Sequence, residues 1–137
     1  MTLNIVDLSS NNGPVNLATL KKTGCDGVII KATESNYYVN PYFAGQVKQA
    51  ARLGMLIGAY HYSDGGSVSA NINHYWNTVK PYAKYIDLHI LDYEGRNIVR
   101  GSVGHASAAL AMLKKLTGKT PMIYMGLSDE NSYNWSS

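Results

Sequence analysis

Asp92-Tyr93-Glu94 sets two carboxylates one residue apart, directly after the apolar run Leu88-His89-Ile90-Leu91. Side chains along an extended strand alternate between faces, so Asp92 and Glu94 point one way and Tyr93 the other. Two acids on one face, at the end of a buried strand, repel each other in a partly dry setting. Their pKa values are pushed apart, leaving one group protonated to donate and one ionised. Acetal hydrolysis at a sugar needs such a pair. The tripeptide alone favours plainer readings, a solvated pair in a turn or half of a metal site. Where the rest of the chain places its polar residues decides between them.

Stepping along the chain, residues 3–6 read as a short strand ending at Asp7, followed by Ser9, Ser10 and the turn Asn11-Asn12-Gly13-Pro14. Asn16 caps a helix carrying Leu17 and Leu20, which stops at Gly24. Residues 27–30 form a second strand leading to Lys31, Thr33 and Glu34; its unbroken apolar character suits a parallel sheet covered by helices. Asn40-Pro41 opens a helix with Phe43, Val47, Ala50 and Ala51 on one face and Gly54 at its end. Residues 55–60 make a third strand, finishing in His61, Tyr62 and Asp64 ahead of the loop Gly65-Gly66-Ser67. A helix over about 70–82 leads to the fourth strand, the one that ends in the acid pair. Val103, Ala106, Leu110 and Leu113 mark a further helix closed by Gly118, and residues 122–124 a fifth strand.

Strand and helix alternate throughout, which predicts an α/β fold built on a parallel sheet or barrel. In such folds functional side chains gather at the C-terminal ends of the strands. Here those ends carry Asp7, then Lys31 and Glu34, then Tyr60, His61, Tyr62 and Asp64, then Asp92 and Glu94, then Tyr124, while the strand starts carry little. One-sided placement of this kind points to an enzyme.

Composition narrows the partners. At 137 residues the length fits one domain, residues 1–137, and 45% apolar with 15% charged residues describes an ordinary globular chain. Eleven Tyr against one Phe and two Trp supply faces for stacking and hydroxyls for hydrogen bonding, which suits a sugar-lined groove as well as a core edge. The net charge of +3 comes with no basic run; Lys21-Lys22 and Lys114-Lys115 read as solvated helix faces. No basic patch interleaved with aromatics appears, so nucleic acid is not an expected partner. The lone Cys25 excludes an internal disulfide, and His61, His74, His89 and His105 lack ligand spacing, so no metal or other cofactor is expected. Met1-Thr2-Leu3-Asn4 lacks the pattern of a signal peptide and no apolar run reaches membrane-spanning length.

Five stretches, in order, resemble the glycoside hydrolase family 25 lysozymes, the Chalaropsis type common as phage endolysins. They are Asp7-Leu8-Ser9-Ser10-Asn11-Asn12-Gly13, Val28-Ile29-Ile30-Lys31-Ala32-Thr33-Glu34, Gly54 with Gly58-Ala59-Tyr60-His61-Tyr62, Leu91-Asp92-Tyr93-Glu94, and Pro121-Met122-Ile123-Tyr124. The resemblance implies an irregular TIM-like β/α barrel, represented by about its first five strands, that cleaves the β-1,4 bond between N-acetylmuramic acid and N-acetylglucosamine. It implies Glu94 as the general acid. Asp92 would be its partner, stabilising the oxocarbenium-like centre or helping a substrate acetamido group attack. Asp7 would be a first-strand carboxylate lining the same site, with Tyr60, Tyr62 and Tyr124 flanking the sugar. Lys31, Glu34 and Asp64 are further candidates for substrate contact, against an ion pair for the first two and turn chemistry for the third. The implied partner is a peptidoglycan strand, reached by a cytoplasmically made protein through phage-type release to the wall.

Family domains continue beyond the last matching stretch, so the resemblance also implies a C-terminally truncated domain. Two readings follow. One is an active muramidase, completed by a homodimer or by a complementing C-terminal chain; the other is an inactive fragment that at most binds glycan. Ser9 and Ser10 lack a nucleophile-elbow context, which disfavours a serine hydrolase. No Gly-rich phosphate loop opens a helix, which disfavours chemistry on phosphorylated substrates.

Overall fold

The computed structural model describes residues 2–133 and Trp135. Its elements in order are β1 (Ile5–Leu8), α1 (Leu17–Lys22), β2 (Gly27–Glu34), β3 (Tyr38–Val39), α2 (Phe43–Arg52), β4 (Leu56–Tyr62), α3 (Val68–Val79), β5 (Leu88–Asp92), α4 (Arg96–Thr117), β6 (Met122–Tyr124) and α5 (Leu127–Ser132). Five strands run parallel in the order β1-β2-β4-β5-β6, and β3 pairs antiparallel with the end of β2. This is the α/β sheet of an irregular TIM-like fold, with β1 and β6 as free edges among the described residues.

The two faces of the sheet differ. Outward-pointing Val28, Ile30 and Ala32, then Ile57 and Ala59, then Leu91 and Tyr93 are all buried beneath the helices. They pack with Leu17 of α1, Phe43, Val47 and Ala50 of α2, Ile72, Tyr75 and Val79 of α3, and Ala109 and Leu113 of α4. Fully burying one such aliphatic side chain contributes about 1.5–3 kcal/mol, so this layer dominates stability. On the inner face Ile5, Leu56 and Met122 remain 45%, 44% and 54% exposed. The unbroken apolar run of β2 therefore does not mean equal cover on both sides: Ile29 is only half buried where its neighbours are fully so.

Local chemistry explains most boundaries. Asn16 Oδ1 accepts from Thr19 N at 3.2 Å and starts α1. Ser67 Oγ accepts from Ala70 N and starts α3 two residues earlier than helical periodicity suggests. Gly118 closes α4 in the left-handed conformation that glycine adopts without penalty. Asn40 does not cap α2: its Oδ1 accepts from Tyr42 N, an Asx turn, and the helix begins at Phe43. Past Val79 the backbone tightens into a 3₁₀ segment, Lys80–Tyr85, around Pro81. The helix expected from Val103 has a preceding section, because α4 starts at Arg96 and breaks at Ser102 (φ 60°). The break lets Tyr93 Oη donate to Ser102 O at 2.7 Å while its ring stacks on His105.

Candidate active site

Register sets the site. Asp7 on β1 is level with Ile29 of β2, which is level with Gly58 of β4. One rung up, Lys31, Tyr60, Ile90 and Met122 align across four strands, and above them Glu34, Tyr62, Asp92 and Tyr124. All of these positions share the inner face. The cavity at the C-terminal ends of the strands is lined by Asp7, Ile29, Tyr60, Ile90, Asp92, Glu94 and Tyr124. Its volume is ≈ 230 Å³. That falls below the roughly 300–1,000 Å³ of pockets that enclose a whole small ligand, which suits an open groove holding one segment of a longer molecule. The floor is apolar, Ile29 and Ile90. Gly58 lies between them, and a Cβ there would come within 3.1 Å of Ile29 Cγ1.

The carboxylates respond to one another. Burial, reinforced by the Glu94 carboxylate, raises the Asp92 pKa well above the ordinary carboxylate range; Lys31 opposes the rise and Asp7 adds to it. As two carboxylates Asp92 and Glu94 have no hydrogen to share, and Asp92 Oδ1 lies buried without a donor. With one proton between them they bond, so the proton belongs to the pair. Tyr60 is held protonated by burial and by the surrounding carboxylates Asp92, Asp7, Glu34 and Glu94, which makes its hydroxyl a donor at any ordinary pH. Tyr62 is shifted the same way by burial, then by Glu94, Asp92 and Glu34.

Beside the cavity Lys31 Nζ meets Glu34 Oε1 at 2.6 Å. It also lies 5.3 Å from the ring centres of both Tyr38 and Tyr62, within cation–π range of each. In a regular strand residues three apart face opposite sides. Here the register slips between Lys31 and Thr33, a bulge at Ala32, and both charged side chains face inward. Tyr38, whose hydroxyl donates to Ser10 Oγ at 2.5 Å, completes the cage.

Asp64 belongs to a different structure. Its Oδ2 accepts from Ser35 Oγ at 2.6 Å, and its Oδ1 accepts from Gly66 N and Asn71 Nδ2. Arg100 adds a 3.5 Å ion pair. Burial would raise its pKa, but those bonds and the Arg100 charge hold it down to about 2. Asp64 therefore fixes the β4–α3 turn, the turn chemistry that stood beside substrate contact as its alternative, and is not among the residues lining the cavity. The network continues inward: Asn71 Oδ1 accepts from His61 Nε2, and His61 Nδ1 accepts from Thr33 Oγ1 at 2.7 Å. Asn71 Nδ2 is already donating, which assigns this histidine tautomer. Burial lowers the His61 pKa to about 4 despite the Asn71 bond, so the ring is neutral and buried between Tyr60 and Tyr62 in the chain. Among the described residues no cluster of three His, Cys, Asp or Glu side chains could hold a metal.

The structure thus brings Asp7, Asp92, Glu94, Tyr60 and Tyr124 into one cavity and sets Tyr62, Lys31 and Glu34 on its rim. Sequence reasoning missed Ile29, Ile90 and Tyr38. Ile29 and Ile90 share strand parity with Lys31 and Asp92, and that alternation is the signal that finds them. Nothing local marks Tyr38, which arrives on a two-residue strand.

The chain resembles known proteins in sequence and in fold. The family model described as "Glycosyl hydrolases family 25" matches residues 6–135. A lysozyme of Streptococcus phage Cp-9 is 27% identical over 121 residues, covering 87% of this chain and 34% of that protein. A family 25 glycosyl hydrolase from Bacillus anthracis superposes with a TM-score of 0.85 at 23% identity, over 99% of this chain and 66% of that one. A muramidase from Trichobolus zukalii superposes at 0.74 with 28% identity, over 90% and 65%. The chain spans about a third or less of the curated relatives it matches. On the match across nearly its whole length, the chain belongs to glycosyl hydrolase family 25.

Proposed function

We propose that this chain acts on peptidoglycan as an N-acetylmuramidase, hydrolysing the β-1,4 bond between N-acetylmuramic acid and N-acetylglucosamine at the bacterial cell wall. One observation carries the reading: acids from the first strand and from β5 line a single cavity together with two tyrosines. In the proposed reaction the proton shared by Asp92 and Glu94 passes to the leaving glycosidic oxygen from Glu94. General-acid assistance of this kind is worth about 10²–10⁴ in rate. Asp92, left ionised, stabilises the positive charge developing at the sugar or orients an acetamido group for attack. Asp7 faces the same charge from the opposite wall. Tyr60 donates its hydroxyl to the substrate, Tyr124 and Tyr62 flank the ring, and the caged Lys31–Glu34 pair sets the field on Asp92.

Among the described residues the exposed inner face and the free edges of β1 and β6 leave apolar surface and unpaired backbone that favour association. Completion by a second copy of the chain, or by a complementing C-terminal chain, forms part of this reading. Light scattering on the pure protein distinguishes them, since only the first raises the mass unaided. Purified cell walls, followed by turbidity, test the activity. Clearing by the parent and not by Glu94→Gln upholds the muramidase; no clearing by either, with wall pelleting retained, establishes an inactive glycan-binding fragment instead.

A further inference from the structure

The charges of this chain are sorted by end. At the C-terminal ends of the strands stand Asp7, Glu34, Asp64, Asp92, Glu94, Asp129 and Glu130 with only Lys31, Arg96 and Arg100 among them, formally −4. Toward the opposite end, in the second half of each helix and the segments that follow, stand nine cations: Lys21 and Lys22, Lys48 and Arg52, Lys80 and Lys84, and Lys114, Lys115 and Lys119. Only Asp26 and Asp87 accompany them, for +7. All nine are exposed.

Topology sets these cations at one end as a belt, and three of them tie neighbouring elements together. Lys21 Nζ donates to Leu53 O, joining the end of α1 to the end of α2. Lys48 lies 5.8 Å from the ring of Tyr82, joining α2 to the 3₁₀ segment. Lys119 Nζ donates to Ile86 O at 2.5 Å, joining the segment after α4 to the start of β5. Cations near helix C-termini offset the macrodipole, but that accounts for the last turn of each helix only. Lys84 and Lys119 lie outside any α-helical turn, and the matching depletion of acids is not a dipole effect.

We propose that this basic end is a docking surface for a linear polyanion, leaving the acidic end free for the glycan. Eight of the nine cations are lysine, a compact point charge rather than the planar fork that grips one carboxylate or phosphate bidentately. The belt therefore reads charge density along a polymer and gains affinity chiefly by counterion release. Among its neighbours Tyr82 and Tyr85 offer partly exposed rings, and Lys48 and Lys84 already lie over them at 5.8 and 5.0 Å, so base stacking adds little. That favours a phosphate- or carboxylate-bearing polymer, such as those that accompany glycan in a wall, over single-stranded nucleic acid. Only the wall as its source rests on the muramidase reading.

The test is fluorescence anisotropy with labelled linear polyphosphate and labelled poly-glutamate across a salt series, which separates a phosphate from a carboxylate ligand. The quadruple variant Lys80→Gln, Lys84→Gln, Lys114→Gln, Lys115→Gln is expected to bind at least tenfold more weakly than the parent at low salt. Its salt slope should be shallower by about three, at roughly 0.7 per lost contact. The corresponding quadruple Lys→Arg variant should bind as the parent does, which separates lost charge from lost fold. Glu94→Gln should bind the probes unchanged, so failure of the catalytic reading leaves this one standing. Equal weakening by Arg96→Gln with Arg100→Gln at the other end overturns the proposal. So does parent binding that ignores salt, or tighter binding of oligo-dT than of polyphosphate of equal charge.

Discussion

The two faces of the central sheet are made from neighbouring residues of the same strands yet are built for different ends. Leu91, pointing outward, is fully buried beneath the helices; Asp92, next in the chain, points inward into a cavity with a buried oxygen that no donor reaches. Outward His61 has both ring nitrogens bonded, whereas Tyr60 beside it keeps its hydroxyl for the cavity. One face is closely covered by the helices and supplies stability. The other withholds satisfaction, and unspent polar groups near one another are what acid–base chemistry requires.

The sharpest way to break this contrast is at its two extremes. Glu94→Gln should lower wall-clearing rates by about 10²–10⁴ with no loss of melting temperature; a variant that clears walls at the parental rate removes Glu94 from the chemistry. On the outer face Leu91→Ala should cost about 2–5 kcal/mol in urea unfolding, because the helices above cannot collapse into the gap. Met122→Ala on the inner face should cost under about 0.5 kcal/mol, as an exposed site does. Equal costs would mean that the inner face is covered in solution.

Asp92 tests the same contrast through pH. Its pKa is raised in the fold, so its stabilising contribution is complete below the ordinary carboxylate value and is lost as pH rises through the raised one. Asp92→Asn should therefore unfold roughly 3–5 °C higher than the parent at pH 8 while losing activity, and the gain should vanish near pH 4. A variant that melts lower at every pH would show that the charged form is the one the fold favours. The smallest effect belongs to the rim. Lys31→Met removes the cation that opposes the Asp92 shift, and the alkaline limb of the activity profile, where the shared proton is lost, should move up by about one pH unit. An unmoved limb with reduced activity would reassign Lys31 to substrate contact.

The acids of the candidate site were legible in the sequence because strand parity and strand ends are local facts: Asp92 and Glu94 need only alternation, and Asp7 only its place after an apolar run. The five parallel strands were legible for the same reason. What escaped depends on contacts between distant segments. Asn40 carries a helix-start signature, but its side chain closes a turn two residues early. Asp64 looks like a strand-end acid, and only the fold brings Ser35, Asn71 and Arg100 to occupy it. The basic end was invisible because its lysines lie in short pairs up to 98 positions apart, from Lys21 to Lys119, and only the parallel topology sets them at one end.

The slip at Ala32 carries a last consequence. Upstream of it the odd residues of β2 face the cavity; downstream the phase inverts, so Thr33 turns out toward His61 and Glu34 turns in toward Lys31. Deleting Ala32 would leave Lys31, Thr33 and Glu34 in ordinary alternation with their facing unchanged, so what the extra residue adds is its own buried methyl and a local bend rather than the facing of its neighbours.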